Sequence, residues 1–116
     1  DQRQRLAAAT KHKFIADAPI IIAGVALDPD KMMACQVPTY AVDLSIAMTN
    51  ITLAATAIGL GTCWIGGFDQ DIAREVLDIP DQYKVVELMP LGYPKNQPEA
   101  KPRKELSEIV CYDYFD

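Results

Sequence analysis

A chain of 116 residues has the length of a single domain. Half of its residues are hydrophobic and 23% are charged, an ordinary globular mixture that excludes disorder as the ground state. A formal net charge of −5 argues against a nucleic-acid partner, which needs a basic footprint.

Residues 2–17 place Leu6, Ala9, Phe14 and Ile15 among Arg, Lys and Gln at helical spacing, which predicts a first amphipathic helix. Asp17-Ala-Pro19 ends it, because the residue before proline avoids the α region. Pro19–Ala26 is short, β-branched and apolar on both faces, the pattern of a central buried strand. Leu27–Lys31 reads as a loop. Pro38 argues against a helix running through residues 32–41.

A long helix is predicted from Val42 to Ile58. Leu44, Ala47, Met48, Ile51, Ala54, Ala55 and Ile58 form its apolar stripe, and Gly59 or Gly61 its stop. Residues 42–61 are long enough to span a bilayer. Asp43, Asn50 and several Ser/Thr residues interrupt them, so a buried helix in a protein without a membrane partner is expected. Thr62–Ile65 then reads as a short strand closing on Gly66-Gly67. Asp69 is a predicted N-cap for a helix over Gln70–Leu77, with Ile72, Val76 and Leu77 facing inward. Tyr83–Gly92 is a further core strand. Residues 95–104 are an extended loop, Glu105–Val110 holds one helical turn, and the aromatic tail from Cys111 has little of this chain to pack on. The order predicts helices over a small sheet. A core helix this apolar, with such a tail, points to burial against another chain.

Cys35, Cys63 and Cys111 are an odd count without CxxC spacing, which favours a reducing cytoplasm over a disulfide framework. His12 is the one histidine and reads as a surface residue, so no metal centre is expected. Cys63 reads as buried packing rather than a catalytic thiol. Asp69, Asp71, Glu75 and Asp78 read as a solvated helix face with a cap. Gly59-x-Gly61 follows a helix rather than a strand and is not a dinucleotide turn. No catalytic side chain is assigned.

Two features suit a ligand. A strand ending in Gly66-Gly67 presents N–H groups unobstructed by Cβ, which can approach the edge of a flat heterocycle; the same pair also suits a plain strand-to-helix turn. Lys101 and Arg103 project to one side of an extended loop and can grip a phosphate, or belong simply to a solvated basic loop.

Together these residues resemble the flavin-dependent nitroreductase family. The matching stretches are Asp43-x3-Ala47-x2-Asn50-x2-Leu53-Ala-Ala and Ile58-Gly-Leu-Gly-Thr-Cys-Trp-Ile-Gly-Gly-Phe68. Val76-Leu-Asp-Ile-Pro80, Leu88-Met-Pro-Leu-Gly-Tyr-Pro94 and Arg103 follow. Upstream, Arg5-Leu and Asp17-Ala-Pro-Ile-Ile-Ile also fit. The resemblance implies one α+β domain over residues 1–116, a nitroreductase-like α/β sandwich with a small mixed sheet flanked by helices, forming a homodimer. It implies FMN at the dimer interface, NAD(P)H as electron donor, and a nitroaromatic, quinone or related small molecule as acceptor. The protein would position the cofactor, which carries the chemistry.

Carried over, Gly66 and Gly67 would offer N–H groups to the flavin N5/O4 edge. Trp64 and Ile65 would pack near the ring, and Lys101 and Arg103 would hold the phosphate. Some members carry a glutamate at the position of Gly66. The family's N-terminal element, which holds the FMN phosphate and ribityl chain, has no counterpart in these residues. The chain is therefore expected to be the C-terminal portion of a member. The alternative reading is a non-catalytic dimeric remnant that no longer holds flavin fully.

Overall fold

The structure, a computed structural model, describes residues 1–115. Helix α1 (Gln2–Ala8) starts at Asp1, whose side chain accepts from the Arg3 N–H. It stops after two turns rather than running to residue 17. Thr10 pairs with Phe68 in an isolated bridge, and that excursion separates α1 from a 3-10 turn at Lys13–Asp17. The helical spacing survives the break: Leu6, Ala9 and Ile15 are all buried, while Phe14 is half exposed.

Strand β1 (Ile20–Ala26) pairs antiparallel with β3 (Lys84–Gly92), which pairs antiparallel on its other side with β2 (Gly61–Thr62), giving the order β1-β3-β2. The sheet among the described residues is thus antiparallel in both pairings, not mixed, and β3 is the centre. β1 lies at an edge instead of the middle. It is apolar on both faces because each face carries a layer: α1 and its 3-10 turn on one side, α2 (Thr39–Ala57) on the other. Gly24 pairs with Glu87 while Val25 pairs with Val85, so Val86 is an extra residue on β3. That bulge lets Val85 and Leu88, three positions apart, share one core face with Ile15, Ile65 and Ala73. Burying Ile15, Val85 or Leu88 stabilises the fold by about 1.5–3 kcal/mol each.

Helix α2 begins at Thr39, three residues earlier than its stripe suggests, with Pro38 fixing the entry. It ends in a Schellman motif: the Gly59 N–H donates to the Thr56 carbonyl and the Leu60 N–H to the Ala55 carbonyl at 2.9 Å. Gly59 has φ +79°, which only glycine adopts cheaply, so Gly59 and not Gly61 is the stop. Met48 and Ala55 are buried against the sheet, whereas Ile46, Leu53 and Ile58 are exposed. No helix among the described residues is long and apolar enough to cross a membrane.

The expected strand after Gly59 is shorter than its sequence suggests. The register that pairs Gly61 with Gly92 and Ile65 with Leu88 puts Cys63 opposite Pro90. Pro90 has no N–H to give, so the ladder is interrupted at Cys63-Trp64 and resumes as a single bridge at Ile65. Cys63 is accordingly exposed rather than buried packing. Helix α3 (Gln70–Leu77) has the predicted Asp69 cap, which accepts from the Asp71 and Ile72 N–H groups. Its buried residues are Ala73 and Val76, while Ile72 is 38% exposed. A 3-10 turn at Leu106–Glu108 carries a reciprocal cap between Glu105 and Glu108, and the aromatic tail beyond it is exposed.

Candidate functional site

Gly66 and Gly67 span the gap between two anchors. On one side Ile65 and Leu88 exchange both backbone hydrogen bonds, at 2.9 and 3.0 Å. On the other side the Thr10 hydroxyl donates to the Gly67 carbonyl at 2.8 Å, and the Asp69 N–H donates to the Ala9 carbonyl at 2.7 Å. Between these anchors neither glycine N–H donates to an acceptor among the described residues, and both glycines are exposed. Neither lies in the left-handed region, since Gly59 is the one glycine with positive φ. A Cβ built on either would meet nothing within 4 Å. The fold therefore requires glycine at neither position. Gly92 differs: a Cβ there would lie 2.6 Å from the Pro19 ring.

Gly67 opens onto a cleft of about 760 Å³. Its walls are the segment Ala8–Lys13 and the start of α3, with Phe68, Asp69 and Ile72. Thr10 organises this wall. It is 4% exposed, and its hydroxyl also accepts the His12 N–H at 3.1 Å while donating to Gly67. Lys13 closes the C-terminus of α1, its ammonium donating to the Ala7 and Thr10 carbonyls at 2.8 and 2.9 Å. Lys11 and His12 stand at the rim, exposed, with His12 edge-on to Phe14 at 6.0 Å between ring centroids. Lys11 forms no salt bridge among the described residues. The cleft thus joins unpaired backbone donors to a cationic rim, an arrangement for an electron-rich, planar or anionic ligand.

Thr10→Val keeps the shape and removes both hydroxyl bonds. The expected result is a loss of about 1–3 kcal/mol, because the buried Thr10 side chain no longer bonds the Gly67 carbonyl and the His12 N–H. Chemical denaturation of the variant checks it, together with faster amide exchange at His12, whose N–H the hydroxyl accepts.

Of the residues singled out from the sequence, Gly67 lines this cleft and Gly66 precedes it in the chain. Trp64 is 44% exposed just before them. Ile65 is 3% exposed and belongs to the core, so it anchors the glycine pair from behind. Lys101 and Arg103 are not among the cleft's lining residues. They lie on the exposed loop after β3, where the Arg103 guanidinium donates to the Lys101 carbonyl at 3.3 Å. The acidic residues of α3 form a solvated face as expected, with Asp71 paired to Arg74 and Glu75 to Arg5.

The residues that pattern reading passes over are Thr10, Lys11 and His12, whose roles arise from contacts more than fifty positions away. A further one is Glu87, fully buried within β3 with both carboxylate oxygens unpartnered. Burial pushes its carboxyl up to about 7 from the ordinary 4.5. The signal for Glu87 is a single carboxylate inside the apolar run Val85–Leu91.

The model of the Nitroreductase family matches residues 1–93. A Vibrio harveyi protein named NADPH-flavin oxidoreductase is 43% identical over 72 residues, which cover 60% of this chain and 30% of that relative. The matched stretch therefore covers under a third of that relative's length. A nitroreductase family protein from Clostridium difficile superposes with a TM-score of 0.81 at 32% identity, covering 97% of this chain and 67% of the other. NADPH:FMN oxidoreductase from Vibrio harveyi, solved in complex with NAD+, superposes with a TM-score of 0.85 at 28% identity, covering 99% of this chain and 55% of that one. The family match spans α1 through the end of β3, including the anchored glycine pair and the cleft beside it: this chain belongs to the nitroreductase family.

Proposed function

We propose that this chain is part of an FMN-dependent oxidoreductase. It would pass electrons from NAD(P)H to a small-molecule acceptor such as a nitroaromatic or a quinone, and work as a homodimer. The observation that carries the reading is the Gly66-Gly67 pair: two unengaged N–H groups, held from both sides, at positions where the fold itself leaves room for a Cβ. Names of similar proteins, NADPH-flavin oxidoreductase and NADPH:FMN oxidoreductase, support the same cofactor and donor.

When bound, FMN supplies the hydride acceptance and electron transfer that no side chain here provides. The chain's own work is positioning and electrostatics. The Gly66 and Gly67 N–H groups would donate to the N5/O4 edge of the ring. The Leu88 N–H, bonded to the Ile65 carbonyl, fixes the peptide plane that carries the Gly66 N–H, and the Thr10 hydroxyl on the Gly67 carbonyl holds the far side of the pair. Lys11 brings positive potential to the cleft, which favours electron-rich ligands. Trp64 would flank the ring with its exposed indole, while Ile65 anchors the glycine pair from the core. Lys101 and Arg103 would serve the phosphate from their exposed loop. Dimerisation is supported by apolar side chains left uncovered on α2, namely Ile46, Leu53 and Ile58, and on the tail by Tyr112, Tyr114 and Phe115.

The test is spectroscopic. Purified protein is expected to carry or take up FMN, shown by the flavin absorption band and fluorescence quenching. It is then expected to oxidise NAD(P)H when a quinone or nitroaromatic is added. A colourless protein that takes up no added FMN would overturn the reading.

A further inference from the structure

Glu87 lies at the centre of the sheet, 0% exposed, with neither carboxylate oxygen hydrogen-bonded. It is on the α2 side. A Cβ built on Gly24 would lie 3.3 Å from the Glu87 Cγ and 3.8 Å from both the Leu44 Cδ2 and the Met48 Cγ, so these three side chains converge over Gly24. The missing side chain at Gly24 is what makes room for the glutamate beneath the helix.

No cation faces it. β1 and β2 carry no charged residue. Within α2 the titratable groups are Tyr40 and Asp43, and Asp43 is exposed. On β3, Lys84 is exposed and places its ammonium 5.5 Å from the centre of the Tyr40 ring. α3 packs on β3 with Asp71, Arg74 and Glu75, and its Arg74 is engaged by Asp71 and Asp81. An ionised carboxylate in this setting has neither water nor a counter-ion, which is strongly unfavourable.

We propose that Glu87 is a proton-operated latch between the sheet and α2. As the neutral acid it lets Leu44 and Met48 seat over Gly24. On losing its proton to water it draws solvent beneath the helix and loosens that seat. The consequence reaches the glycine pair through the neighbouring residue. Leu88 exchanges both backbone hydrogen bonds with Ile65, directly before Gly66. Proton release at Glu87 therefore softens the backbone anchor of the candidate site. This holds whether or not the site takes flavin.

The sign follows from linkage. A carboxyl raised to about 7 from 4.5 is held in its protonated form by the folded state. Its stabilisation is complete at low pH and is lost as pH rises from 4.5 through about 7, with no further loss above. The folding equilibrium constant is expected to fall on the order of 100-fold across that interval.

Two measurements on the whole chain decide it. In carboxyl-labelled protein, one of the five glutamates is expected to titrate near neutrality by NMR, and that signal should be missing in Glu87→Gln. The thermal midpoint of the native protein should drop between about pH 5 and about pH 8, while Glu87→Gln and the apolar Glu87→Met stay closer to level. His12 is common to all three proteins, so its contribution cancels in the difference. If all five glutamates titrate in the ordinary carboxylate range, the latch does not exist. A folded variant with the native protein's pH slope would equally overturn it.

Discussion

Gly67→Val is expected to weaken FMN binding about 10- to 100-fold while changing the stability of the fold by no more than about 0.5 kcal/mol. The two halves of this result have separate causes. Stability is spared because a Cβ at Gly67 meets nothing within 4 Å and the backbone there is not left-handed. The Thr10 hydroxyl reaches the Gly67 carbonyl, which a side-chain substitution leaves in place. Binding suffers because a branched Cβ stands where a flat ring must approach the N–H groups; overpacking of this kind costs about 1–3 kcal/mol. Flavin titration followed by fluorescence, beside a denaturation curve, separates the two. Unchanged affinity would remove Gly67 from the cofactor site. A large loss of stability would mean that glycine is there for the fold.

Leu88→Ala is expected to behave in the opposite way, with a loss of about 2–5 kcal/mol in unfolding free energy. Leu88 is 0% exposed and packs with Ile15, Ile65 and Ala73 beneath α1 and α3. Its truncation opens a cavity where three elements meet. The backbone bonds to Ile65 would remain, but the side chain that keeps them dry would not. For a domain whose whole stability is about 5–15 kcal/mol, such a loss brings the chain near its unfolding limit. Leu106→Ala, at a site 73% exposed, serves as the control and should stay within about 0.5 kcal/mol. Similar small losses in both variants would show that the buried cluster around Leu88 is not the core.

The fold was legible wherever a residue acts on its own backbone. Gly59 stops α2, and Asp69 starts α3, because both act on N–H and carbonyl groups a few positions away. Apolar spacing located Met48, Ala55, Val76 and Ile15 correctly. It failed where a neighbouring element intervened. Ile72 has the spacing of an inward residue, yet Ala73 is the one that packs fully against the sheet, since a small side chain lets α3 approach. The single helix expected over residues 2–17 is broken at Thr10, where a bridge to Phe68 offered the backbone a partner outside the helix.

The candidate site divides in the same way. The paired glycine is visible as sequence, because two adjacent residues without Cβ at a strand end state a local backbone property. That the pair is unengaged is a tertiary fact. It depends on Leu88 and Thr10 holding the flanks from 23 and 57 positions away while leaving Gly66 and Gly67 with free N–H groups. Sequence alone therefore determined the body of α2, α3 with its Asp69 cap, the core strand β3 and the glycine pair, all set by short-range backbone and side-chain preferences. The structure decided that β3 is the centre of an antiparallel sheet, that Thr10 and His12 belong to the cleft, and that Glu87 is sealed beneath α2. Strand order, cleft walls and burial depend on which distant segments meet, and no local preference encodes that meeting.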